Sequence, residues 1–98
     1  MLLESEGFEV VGEAADGASA IQAATSLRPD VVLLDIYLPD INGFEVAKQL
    51  MTNGDPPEIV LTSSRDPRDF GALVEQSGAK GFISKAELSG ASLTALLE

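Results

Sequence analysis

The sequence predicts an open α/β sandwich in which parallel strands alternate with helices, and three observations predict it. Four short apolar runs, Phe8-Glu9-Val10-Val11, Val31-Val32-Leu33-Leu34, Ile59-Val60-Leu61-Thr62 and Gly81-Phe82-Ile83-Ser84, are rich in β-branched and large apolar residues, as strands are. Their starts lie 23, 28 and 22 residues apart, and the stretches between them carry apolar residues at helical spacing. Helix start and stop signals fall at the junctions. Strands separated by helices imply parallel pairing through right-handed crossovers, with helices covering both sheet faces.

Taken in order, residues 1–6 followed by Gly7-Phe8 read as the last turns of a helix entering the first run. Ala20, Ala24 and Leu27 then share one helical face. Val31 to Leu34 is apolar at every position, the pattern of a strand buried on both faces. Asn42 with Glu45 three residues on makes a capping-box-like start for a helix facing inward through Phe44, Ala47, Leu50 and Met51. Asp66-Pro67 sets a cap before a first-turn proline, ahead of Phe70, Leu73 and Val74. Gly7, Gly54 and Gly78 each stand between a helical stretch and a strand, where positive φ ends a helix cheaply. Residues 89–98 close the chain as a short helix with Leu93, Leu96 and Leu97 inward. At 98 residues this is one domain, 1–98, with no linker, repeat or output domain expected.

Composition narrows the chemistry. Sixteen acidic against six basic residues give a net charge of -10, which repels nucleic acid and anionic lipid alike, so neither is an expected partner. No apolar run approaches the roughly 18 residues that span a bilayer, and the start lacks the basic residues of a signal peptide, so the expected location is cytoplasmic. Without cysteine there is no thiolate chemistry or structural zinc. Without histidine there is no Ser-His-Asp arrangement, and any phosphohistidine donor belongs to another protein.

In open α/β sheets ligands bind beyond the carboxyl ends of the strands. Three polar residues stand there: Asp35 after Val31 to Leu34, Thr62 at the close of its run, and Lys85 after Phe82-Ile83-Ser84. Singly, each is more often a cap or a solvated residue. Jointly they suit phosphoryl transfer, in which a carboxylate attacks phosphorus while hydroxyl and ammonium bind the equatorial oxygens.

From Phe8 onward the chain resembles the receiver domains of two-component response regulators. The residues 31–43, Val-Val-Leu-Leu-Asp-Ile-Tyr-Leu-Pro-Asp-Ile-Asn-Gly, resemble that family's phosphoacceptor strand and loop; Leu61-Thr62-Ser63-Ser64 and 78–85 resemble its hydroxyl-bearing and lysine-bearing segments. The resemblance implies a flavodoxin-like receiver fold and a non-enzymatic signalling role, with Asp35 as phosphoacceptor, Thr62 as the hydroxyl that turns toward the phosphoryl group and Lys85 as ion-pair partner. It implies Phe82 as the switch aromatic, for which plain core packing is an equal account. Ser63 is the small residue that allows close approach, Tyr37 offers its carbonyl to Mg²⁺, and the Tyr37 side chain with Ser64 tunes hydrolysis. A histidine kinase is the implied donor and an output protein the implied listener.

Two departures shape the expectations. The family's first, central strand and the acidic pair that ends it have no counterpart here, so Mg²⁺ affinity is expected to be weakened or lost and a homodimer to compensate the sheet. Ala86 stands where many receivers have proline after the lysine, so the loop there need not contain a cis peptide. A degenerate receiver acting only as a phosphate-independent interaction or dimerisation module is the alternative. A haloacid-dehalogenase-type phosphohydrolase would need a second Asp two residues after the first, where Tyr37 stands.

Overall fold

A computed structural model describes residues 14–52, 54, 56–63 and 72–97. The elements run α1 (Gly17–Leu27), β1 (Val31–Asp35), α2 (Gly43–Met51), β2 (Glu58–Ser63), α3 (Ala72–Gln76), β3 (Gly81–Ser84) and α4 (Gly90–Leu97). The expected strand at Phe8, the Gly7 stop, the Asp66-Pro67 start, Phe70 and Ser64 lie outside the described residues.

The three described strands form a parallel sheet in the order β1-β2-β3. Period-two alternation then sorts their side chains onto two faces. Leu34, Ile59 and Leu61 join Ile36, Phe44, Val46, Ala47 and Leu50 in one buried cluster, with Ala20, Ile21 and Ala24 of α1 and Val74 of α3 packed against it. Val60, Ile83 and Leu93 form the second, on the opposite face, with Leu33, Leu96 and Leu97 against it. Among the described residues three helices therefore cover one face and α4 the other, which is the sandwich the alternating pattern predicts. Among the described residues no helix is long and apolar enough to cross a membrane.

Caps set the helix ends. Asn42 accepts the Glu45 N–H at 2.9 Å, as its spacing predicts. Asp16 caps α1 by accepting the Ser19 N–H at 2.8 Å. Gly78 has φ +84 and follows α3, the positive-φ role expected of it. Gly54 does not play that role: α2 ends at Met51 and is closed by Thr52, whose hydroxyl donates to the Gln49 carbonyl at 2.6 Å. The left-handed residue after α1 is Arg28 at φ 48, immediately before Pro29, which cannot extend a helix. No cis peptide occurs among the described residues.

Burial corrects two further expectations. β2, flanked by strands on both sides, is the fully buried strand from Ile59 to Ser63, whereas Val31, Val32 and Leu33 are only partly buried. Leu27, Met51 and Leu73 are exposed, although helical spacing grouped them with inward residues. Each lies at or near the end of a helix as described. Val46, at 0% exposure, belongs to the inward face of α2 in place of Met51.

Leu50→Ala should therefore lower unfolding free energy by about 2–5 kcal/mol, and Leu73→Ala by about 0.5 kcal/mol or less, in urea titrations. Equal losses would contradict the assigned faces. At Gly43 an added Cβ would sit 2.5 Å from the Asp35 carbonyl oxygen and 2.8 Å from the Ile36 Cα, both backbone atoms. Gly43→Ala should cost about 1–3 kcal/mol by the same measurement, because neither atom can move without shifting β1.

Candidate functional site

Register brings the three strand-end residues together. Asp35 pairs with Thr62, and Thr62 with Ile83, in the parallel ladder. Directly paired residues share a face, and Lys85 lies two residues beyond Ile83, so alternation sends all three polar side chains to the α4 side. The ladder runs on past the strand ends: the Ile36 N–H donates to the Thr62 carbonyl at 3.0 Å and the Lys85 N–H to the Ser63 carbonyl at 2.9 Å. These bonds fix the backbone on either side of Thr62.

The Asp35 carboxylate is held at both oxygens. Lys85 Nζ donates to Oδ2 at 2.6 Å, and the Tyr37 N–H donates to Oδ1 at 3.0 Å. Side-chain exposure is 30% for Asp35 and 51% for Lys85, so water screens the pair and its stabilising effect is on the order of 1 kcal/mol or less. Stability alone does not account for an ammonium bridging 50 residues of sequence. Thr62 is different in kind. It is buried, and its Oγ1 has no hydrogen-bond partner among the described residues. A buried hydroxyl left unpaired typically costs about 1–3 kcal/mol.

Around this core, Ser63 is fully buried beside Thr62, and its small side chain keeps the strand end narrow. Phe82, the register partner of Leu61, is partly buried against the first apolar cluster. Tyr37 is exposed at the start of the loop that follows β1. The Asp35 carboxylate and the Tyr37 carbonyl are hard oxygen donors that suit Mg²⁺ in kind, so these are the residues that would hold it. Mg²⁺ takes six oxygens, most of them beyond this pair. Among the described residues no group of three or more His, Cys, Asp or Glu side chains is placed to hold a metal ion.

One polar residue here escaped the sequence reading. Asp40, in the β1–α2 loop, accepts the Gly17 N–H at 2.7 Å and the Ala18 N–H at 3.0 Å, both from the first turn of α1, and its own neighbour Ile41 at 2.9 Å. The Gly17 bond, then the Ala18 bond, hold its carboxyl below the ordinary 3.8. A lowered folded-state value means that the contribution of this carboxylate is complete above its unfolded value and is lost as pH falls through the lower folded one. Its partners lie 22 and 23 residues away, and no local spacing signals such a contact.

The Response regulator receiver domain family matches residues 1–98. The virulence-factor transcription regulator BvgA of Bordetella pertussis is 37% identical over 87 residues, covering 89% of this chain and 42% of that protein. The chain thus spans about two fifths of the length of the curated relatives it matches, whose names describe whole transcription regulators. Among solved structures, the signal receiver domain of NarL from Mycobacterium tuberculosis superposes with a TM-score of 0.82 at 34% identity, covering 98% of this chain and 81% of that one. The BeF3-activated N-terminal receiver domain of RstA from Klebsiella pneumoniae superposes with a TM-score of 0.80 at 33% identity, covering 97% and 79%. The chain belongs to the response regulator receiver domain family, with that family's flavodoxin-like fold.

Proposed function

We propose that this chain accepts a phosphoryl group on Asp35 from the phosphohistidine of a histidine kinase and passes the signal to an output protein by contact. The observation that carries this reading is the buried Thr62 hydroxyl, unpartnered among the described residues and register-paired with Asp35 on one face of the sheet. A phosphoryl oxygen on Asp35 is the acceptor that this hydroxyl lacks, so modification removes a cost that the unmodified site carries.

The chemistry is a displacement at phosphorus. An Asp35 carboxylate oxygen forms the new O–P bond as the P–N bond of the phosphoimidazole breaks, and the departing ring nitrogen takes up a proton. Lys85 already stands on Oδ2 and offers its charge to the equatorial oxygens as negative charge spreads over them. The Tyr37 N–H steadies the other carboxylate oxygen. When bound, Mg²⁺ supplies charge neutralisation between carboxylate and donor.

Readout follows from the same hydroxyl. Thr62 turning toward the phosphoryl group shifts the end of β2, and Phe82, register-paired with Leu61 on the neighbouring strand, is the switch aromatic that responds. Ser63, Ser64 and the exposed Tyr37 side chain set the lifetime of the acyl phosphate. The BeF3-activated state of RstA supports this reading, since beryllofluoride mimics a phosphoryl group on a carboxylate. The net charge of -10 directs the module toward protein partners rather than nucleic acid, in the cytoplasm where kinases supply phosphoryl groups. Self-association is part of the proposal, and a compact monomer at micromolar concentration in light scattering would refute that part.

Incubation with Mg²⁺ and a small-molecule phosphodonor should add one phosphoryl mass to the intact chain and none to Asp35→Asn. A folded chain that stays unmodified would leave the phosphate-independent interaction module as the better account. Thr62→Val should raise the urea-unfolding free energy by about 1 kcal/mol, because it removes an unpaired buried hydroxyl. Lys85→Ala should change stability by less than about 1 kcal/mol yet strongly slow adduct formation. A destabilised Thr62→Val would show that the hydroxyl is already satisfied and remove the main support for this reading.

A further inference from the structure

We infer that Asp40 is a positioning residue: by clamping the first turn of α1 to the β1–α2 loop, it holds the Tyr37 peptide against Asp35 for phosphoryl acceptance. The inference rests on the acceptor reading of Asp35. Asp40 lies five residues beyond Asp35, in the middle of the loop spanning residues 36–42. Both ends of that loop are fixed by the sheet and by α2: Ile36 donates to Thr62, Tyr37 to the Asp35 carboxylate, and Gly43 to the Ile36 carbonyl at 2.8 Å. Its middle is held by Asp40.

Two independent features show that this clamp is built into the fold. Both carboxylate oxygens are used, Oδ1 by Gly17 and Ile41 and Oδ2 by Ala18, so the group is oriented as well as attached. The approach is also close enough to exclude a side chain at Gly17, where an added Cβ would lie 2.4 Å from Ile41 Cγ1 and 3.0 Å from Val46 Cγ2. The helix N-terminus contributes partial positive charge that favours a carboxylate there, consistent with the lowered Asp40 carboxyl. Without this carboxylate α1 keeps its own cap at Asp16, so the helix survives while the loop loses its tie.

The consequence falls on Tyr37, whose N–H orients the Asp35 oxygen not held by Lys85. Small misplacements of a positioning group can slow a reaction by about a hundredfold, and a loop freed at one point should cost roughly tenfold. Asparagine at this position retains one acceptor oxygen, enough for Gly17 and Ile41, but sets an amide NH₂ against the Ala18 N–H. It should therefore rescue in part.

The test compares the wild-type chain with Asp40→Ala and Asp40→Asn in two measurements: amide hydrogen exchange at Tyr37, and the rate of Asp35 adduct formation with a small-molecule phosphodonor. Exchange at Leu61 and Ile83 serves as the check that the sheet is intact. Asp40→Ala should exchange Tyr37 about tenfold faster and form adduct about tenfold more slowly, with Asp40→Asn between it and wild type. A merely structural role would lower the melting temperature and leave the adduct rate, measured well below melting, unchanged; that result overturns the inference. Unchanged Tyr37 exchange in Asp40→Ala overturns it too. An unreactive wild type with faster Tyr37 exchange in Asp40→Ala would overturn the acceptor reading while upholding the clamp.

Discussion

Parallel pairing through β2 is the constraint from which the rest follows. A strand with neighbours on both sides and helices on both faces has nowhere to hide a polar side chain except at its ends, and Ile59 to Leu61 accordingly carry none. Parallel strands all end on the same edge, so the residue that closes each run meets its counterparts there. Because the register sets Asp35 opposite Thr62 and Ile83, the side of the sheet on which they meet is fixed as well. A one-residue slip of β1 would send Asp35 toward the apolar face occupied by Ile59 and Leu61. The site is thus a product of the register and needs no separate scaffold.

What the sheet cannot fix is the loop that leaves it, and there the chain uses close backbone approach and capping. Gly43 lets α2 begin against the Asp35 carbonyl, Asn42 closes the first turn, and Asp40 reaches a different helix altogether. Asn42 and Asp40 each use a polar side chain to satisfy orphan amides at a helix start. The loop following β1 is thereby held at several points, and that loop borders the carboxylate. The exposed Lys85–Asp35 pair adds little to stability by comparison, which separates the residues that build the site from those that would act in it.

Much of this was legible in the sequence because it rests on local pattern. The three described strands, the Asn42–Glu45 start and the Gly78 turn each depend on residues within a few positions of one another. The alignment of Asp35, Thr62 and Lys85 was legible for a less local reason: parallel topology, once inferred, places strand ends together. Failures came where the decisive neighbour is remote. Periodicity grouped Leu27, Met51 and Leu73 with inward residues, yet all three are exposed, and on α2 the buried position is Val46. Apolarity at every position of Val31 to Leu34 suggested full burial, yet the strand in the middle of the described sheet is β2. Arg28 takes the left-handed position after α1, a helix for which no stop was assigned, and the signal was the proline behind it.

Asp40 marks the limit of such reading most clearly. In sequence it is one acidic residue in a turn between Pro39 and Ile41, of a type that turns favour for local reasons. Its structural meaning depends on Gly17, a residue equally unremarked in a row of small side chains. Only the packing of α1 beside α2 makes the two meet, and only the missing Cβ at Gly17 lets them come close. The contact couples an element remote from the carboxylate to the loop beside it. On the inference that Asp40 positions the Tyr37 peptide, α1 bears on Asp35 through the loop alone, since the ladder bonds of Ile36 and Lys85 hold the strand ends independently of residues 37–42.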